Sequence, residues 1–369
     1  MAPRKRKRAR VDSISEQSPS PSPIIFRIPG QTPDTLLSVL GQDYHVHSML
    51  LKLHSNYFRR FLDSPDKSGE RASHDFRYHY ITVFDDDECG WSLESVEKAT
   101  PATPAEVSRY YCREEESTAF HHLLCTMYNR KYAIQNVSAL KSLTKIADFF
   151  CALPIVSATI VETVMTGPMT RTRMEEWSSR SEFSRNACEI SRIAQKLRNP
   201  ILFRDAIIEV VSRWDFHQEF LFEIGIKASD FFDGSTLQLI EREYTQVAKL
   251  LVRCSHRLLL RILDGRFWEI GKRVPAPEDE SAWRSADFYY RIRLRIIEKL
   301  EGIYYHFVRP ETREALDKLR QSIDELIQNN LVLDQSHCGP GELGMHEHAF
   351  LCAKISDDDL PWDTSEIDW

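Results

Sequence analysis

The chain has 369 residues and a mass of 43.0 kDa, too long for one ordinary domain and enough for two or three cores. Only 13 residues are glycine, about half the usual ~7% share, which disfavours architectures built on phosphate-cradling loops and with them a nucleotide-binding α/β enzyme. The formal net charge is −7 although Arg4, Lys5, Arg6, Lys7, Arg8 and Arg10 all lie in the first ten residues, so the rest of the chain is more acidic still and has no diffuse attraction for a polyanion. No apolar run reaches the ~18–20 residues of a membrane-spanning helix, and the basic, Ser-Pro-rich N-terminus lacks the apolar stretch of a secretory signal. The expectation is an intracellular protein with no membrane and no direct nucleic-acid partner. Its eight cysteines, at 89, 112, 125, 151, 188, 254, 338 and 352, are read as reduced thiols.

Residues 1–33 read as a disordered basic tail followed by Ser-Pro steps, too polar to offset the entropy of ordering. Lys5, Arg6, Lys7 and Arg8 fit the cluster that nuclear import receptors read, so the nucleus is the expected compartment, with the cytoplasm as the alternative. From Thr35, Leu36–Leu40 and Tyr44–His47 on either side of Gly41-Gln42-Asp43 predict a hairpin. Two short helices follow, Ser48–His54 and Ser55–Leu62, each opened by a serine suited to capping. The first carries Met49, Leu50, Leu51 and Leu53, more apolar surface than one helix face can hold, and therefore predicts a dimer or docking contact. Tyr78–Phe84 predicts a strand, residues 94–108 a loop or insertion, and Phe120, Leu123, Leu124, Met127 and Tyr128 resume a helical period that continues through 137–152 and 155–165.

The run Tyr44-His45-Val46-His47 followed by Ser48–Leu51 and by Ser55-Asn56-Tyr57-Phe58 resembles the signature of a BTB/POZ domain, as do the later elements through Ala147-Asp148-Phe149-Phe150. The resemblance covers residues 34–166, and with Phe61-Leu62-Asp63-Ser64-Pro65-Asp66-Lys67 and Gly90-Trp91 it is similar to the BTB proteins abundant in fungi, which implies a fungal source. It implies an α+β helical cluster with a short sheet, homodimerisation and partner docking, with Val46, His47, Ser55, Tyr57 and Phe58 as structural signature positions. An adaptor role on a cullin scaffold for ubiquitin ligation is the alternative that the resemblance offers. The apolar-x-Glu element of such adaptors is absent at Ser68-Gly69-Glu70, where Ser68 replaces the apolar residue.

Residues 180–335 read as an all-α domain. The stripes are Phe183, Ala187, Ile190, Ala194 and Leu197; Ile201–Trp214 after Asn199-Pro200; Ile240 through Leu258; Ile292 through Ile303; and Leu316 through Leu326. Residues 336–369 form a Gly/His loop and an acidic, aromatic tail. Gly339-Pro340-Gly341-Glu342-Leu343-Gly344 satisfies GxGxxG, but too little chain follows to build a dinucleotide fold. His337, Cys338, His346, His348 and Cys352 match no zinc-finger spacing. The expectation is a protein without catalytic residues, cofactor or metal, whose partners are other proteins. The tail from Asp357 to Trp369 is read either as a partner-binding motif or as a segment packed back on the helical domain.

Overall fold

A computed structural model describes residues 22–62, 75–84, 90–99, 101–110, 112–170, 181–263, 282–301, 309–334 and 338–366. It is an α+β arrangement that separates into two compact units. One unit holds the described residues up to Lys52 with those from Arg59 to Ser117; the other holds Leu53–Phe58 with those from Thr118 onward.

The first unit is built on a five-stranded sheet of order β1-β3-β2-β4-β5: β1 Ile24–Ile25, β2 Thr35–Val39, β3 Gln42–Val46, β4 Tyr78–Phe84 and β5 Trp91–Ser95. β2 and β3 are the expected hairpin, in register Leu37 opposite Tyr44. Its two-residue turn is Leu40-Gly41, at φ 49° and 87°, the double left-handed geometry that matches strand twist. Leucine is a poor choice there and is held by neighbours: its N–H donates to Thr82 Oγ1 at 2.9 Å and its carbonyl accepts from Arg113 Nε at 3.2 Å. Residues 22–33, assigned to the tail by composition, are instead folded here. Ile24 and Ile25 pair in parallel with Tyr44 and His45, and Phe26 is fully buried.

The interval 94–108 is likewise more than a loop. Trp91 and Leu93 are buried on alternate positions of β5, which pairs antiparallel with β4. Helix α3 (Pro104–Arg109) opens on a capping box in which Thr103 Oγ1 accepts from Glu106 N–H and Glu106 answers to Thr103 N–H at 2.7 Å. The two prolines around it suggested a breaker, whereas Pro104 occupies the first helical turn, where a missing N–H costs nothing. Buried Glu116 then ties the layer together by accepting from Trp91 Nε1 at 2.7 Å and Tyr110 Oη at 2.8 Å.

Helices α1 (Ser48–His54), α2 (Asn56–Leu62) and α4 (Arg113–Met127) run from one unit into the other. The second unit continues through α5 (Val137–Phe149), α6 (Leu153–Thr166), α7 (Glu182–Arg185), α8 (Ala187–Lys196), α9 (Pro200–Ser212), α10 (Trp214–Glu223), α11 (Ala228–Phe231), α12 (Gly234–Leu263), α13 (Ala286–Glu301) and α14 (Pro310–Leu326). The period-based stripes supply most of its core: Ile190, Ala194, Ile240, Cys254, Ile292, Ile296, Leu316 and Ile323 are each no more than 1% exposed, Tyr244 and Leu251 are half-buried, and Ile303 lies outside the described residues. Asn199 caps α9 through Leu202 N–H at 2.9 Å, and Pro200 takes the first position as its residue type requires.

Candidate functional site

The corner from β3 into α1 is set by burial and capping. Val46 is fully buried and His47 is 3% exposed, and the His47 carbonyl accepts from Leu50 and Leu51 N–H at 3.1 and 3.3 Å to start the helix. The Asp34 carboxylate caps it, accepting from Ser48 N–H at 2.7 Å and Ser48 Oγ at 2.6 Å. Ser48 is thus the first helical residue, and the cap comes from a distant acid that local sequence does not reveal. On α1, Leu51 is fully buried, Leu50 half-buried, and Met49 and Leu53 are 54% and 60% exposed. Four residues expected to dock therefore divide. Leu51 belongs to the chain's own core, while Met49 and Leu53, four apart and so on one face, present apolar surface to solvent.

Ser55 does cap α2. Its Oγ accepts from Phe58 N–H at 3.0 Å and donates to the Phe150 carbonyl at 2.5 Å, and Asn56 N–H donates to the Cys151 carbonyl at 3.2 Å. Phe58 stacks on Phe150 with centroids 5.2 Å apart and planes at 7°, and Tyr57 meets Phe150 edge-on at 5.1 Å. Ser55, Tyr57 and Phe58 accordingly fasten the loop between α1 and α2 to the end of α5. Lys5, Arg6, Lys7 and Arg8, and the 68–70 element, lie outside the described residues.

Reactive groups elsewhere have been put to structural use. A cavity of about 680 Å³ in the first unit is lined by Ile25, Ile28, Pro29, Pro33 and Phe76 and, in equal number, by Arg27, Gln31, Thr32, His45 and Asp75. Cys125 lies 3.5 Å from His121 Nε2, but burial pushes its thiol pKa up, against the thiolate a nucleophile requires. In the second unit, Asp205 and Glu209 of α9 are buried beside Asp334 and His346. His346 Nε2 stands 3.4 Å from Asp334 and Nδ1 3.9 Å from Glu209, so the imidazole lies between two carboxylates. Asp205 accepts from Leu333 N–H at 2.6 Å and Val332 N–H at 2.9 Å, and Glu209 accepts from Ser184 Oγ at 2.9 Å. Burial first, and then Glu209 and Asp334, push the Asp205 carboxyl up to about 6 against the pull of the two N–H bonds. The arrangement ties Val332, Leu333, Asp334 and His346 to α9. Two acids four apart in the otherwise apolar run Ala206–Val211 and its flanks were the sequence signal for such a buried network.

The His/Cys group of the C-terminal loop does not converge. His346 joins the acids, His348 Nδ1 pairs with Ser285 Oγ at 2.9 Å, and buried Cys352 has its thiol pushed up to about 11, chiefly by burial. His337 lies outside the described residues. Among the described residues no group of three or more His, Cys, Asp or Glu is arranged to hold a metal ion. The GxGxxG run sits in a turn rather than between a strand and a helix. Gly341, at φ 86°, lets the turn press against α13, where a Cβ would come within 2.5 Å of Tyr290 Cβ and 2.6 Å of the Ala286 carbonyl. Among the described residues no helix is long and apolar enough to cross a membrane. No family model matches the chain, and neither a curated protein nor a solved structure matches it.

Proposed function

We propose that the chain is a non-enzymatic docking protein with a BTB/POZ-like N-terminal module that pairs with a second copy through α1, and that it works in the nucleus, where its basic N-terminus would direct it. The observation that carries the reading is the division of α1: Leu51 anchors the helix internally while Met49 and Leu53 remain exposed on one face. The order hairpin, helix, helix, strand, with Val46, His47, Ser55 and Phe58 buried at the corners, supports the BTB/POZ resemblance. Exposed large apolar side chains on a short helix are a docking surface in want of a cover.

Light scattering on the full chain tests the pairing. The wild type should run as a dimer, and Met49→Asp with Leu53→Asp should give a folded monomer whose melting temperature no longer rises with protein concentration, since an unpaired carboxylate at a packed interface costs about 2–5 kcal/mol. Leu51→Asp should instead unfold the first unit, because the carboxylate would enter the core. A wild type that is monomeric at micromolar concentration removes the homodimer reading.

A further inference from the structure

Helix α10 has a second apolar surface that the docking reading of α1 leaves unused. Trp214, His217 and Leu221 turn inward. At about 100° per residue the outward face is centred on Glu219 and Glu223, with Phe216 and Phe220 along one flank and Phe222 on the other. Phe220 is 49% exposed, Phe222 85%, and Ile224 and Ile226 beyond the helix end 51% and 37%. Gly225, at φ 76°, turns the chain so that these two isoleucines follow directly on the helix. Among the described residues Glu219 and Glu223 make no ion pair or hydrogen bond, while Asp215 nearby accepts from Tyr244 Oη at 2.7 Å. Lys227 is the single cation between Trp214 and Ala228.

We propose that this face binds a basic amphipathic helix of another protein, its apolar residues seated on the i, i+4, i+8 row Phe216, Phe220 and Ile224, of which Phe216 is 52% exposed, and its lysines or arginines on the adjoining row Glu219 and Glu223. Charge selects this occupant. A second copy laid face to face would set Glu219 and Glu223 against their own kind, and an anionic lipid surface would be repelled by the same pair. A cationic helix gains both the apolar contact and the ion pairs, which are stronger once the phenylalanines exclude water around them. The surface lies wholly within the second unit and is independent of α1.

The test is fluorescence anisotropy of a labelled synthetic amphipathic helix of leucine and lysine titrated with the full chain at low and physiological salt. Comparison peptides replace lysine by glutamate in the same pattern, or leucine by serine. Only the leucine–lysine peptide should bind, more weakly as salt rises. Glu219→Lys with Glu223→Lys, and separately Phe216→Ser with Phe220→Ser, should each weaken it by about tenfold or more, while Val252→Ser with Leu259→Ser, exposed on α12, changes nothing. All of these positions lie outside the core, so the fold is kept. Failure of the peptide to bind, or wild-type affinity in either α10 double variant, overturns the proposal. So does self-association that the phenylalanine pair abolishes, which would give the face to a second copy.

Discussion

Asp205 shows how far one side chain can shape the pH response of the second unit. Its carboxyl, 1% exposed, is held up near 6 against an ordinary 3.8, with burial the main cause. Because the folded state binds this proton more tightly than the unfolded state, the contribution to stability is greatest below about pH 4 and is lost as pH rises through 6. A shift of this size corresponds to about 3 kcal/mol. Asp205→Asn removes the titration and, because the Val332 and Leu333 N–H groups both reach Oδ2, its amide oxygen can accept from the two as the protonated acid does, so the variant should match the wild type in acid. Urea unfolding from pH 4 to 7 should therefore show the wild type's stability falling relative to the variant's by up to about 3 kcal/mol. A pH-independent difference would mean that Asp205 is ionised throughout. His346, with its nitrogens directed at Asp334 and Glu209, belongs to the same network and is left intact in this comparison.

At the scale of elements, the turn 338–346 is defined by how closely it approaches α13. Gly341 N–H donates to the His346 carbonyl at 3.2 Å, and Glu342 fastens the turn by accepting from Gly339 N–H and Tyr290 Oη, both at 2.9 Å. Gly341→Ala would have to move either the turn or α13 and would hold alanine at φ 86°, so chemical denaturation should show a loss of about 2–4 kcal/mol. Gly339→Ala, with open space around its Cβ, should change little and serves as the control. The same comparison shows what the sequence made legible. Stripes such as Ile292-Ile296-Leu300 and the Asn199-Pro200 start were readable because burial and capping are local and periodic. β1 was not readable, because two isoleucines beside a Ser-Pro tail become a strand only by pairing with Tyr44 and His45. Nor could period alone say that Leu51 points inward while Met49 and Leu53 point out, since that depends on which neighbours cover a seven-residue helix. Asp205 and Glu209 in an apolar run hinted at a buried network, but its partners Val332, Asp334 and His346 lie more than a hundred positions away, beyond the reach of any local pattern.

At the scale of the whole molecule, the excess of acid is partly matched where it is densest. Of the C-terminal tail, which its mixture of acids and aromatics left open to two readings, residues 357–366 are docked on the helices of the second unit, while Ile367 and Trp369 lie outside the described residues. Asp357 pairs with Arg204, Asp359 with Arg242 at 2.7 Å, and Glu366 with Arg198 at 2.7 Å. Trp362 meets Phe203 edge-on at 5.3 Å, Leu360 is 8% exposed, and Lys354 N–H donates to Glu243 at 3.2 Å. The ion pairs are too exposed to hold the segment alone, at roughly 0–1 kcal/mol apiece, so the apolar contacts of Leu360 and Trp362 decide its position. Removing residues 356–369 should therefore cost about 2–4 kcal/mol and lower the melting temperature of the second unit by several degrees. Leu360→Ala with Trp362→Ala should reproduce most of that loss, whereas Asp357→Asn with Asp359→Asn should reproduce little of it. If the truncated chain melts with the wild type, the tail is not held by its apolar contacts, and Leu360 and Trp362 are available to a partner after all.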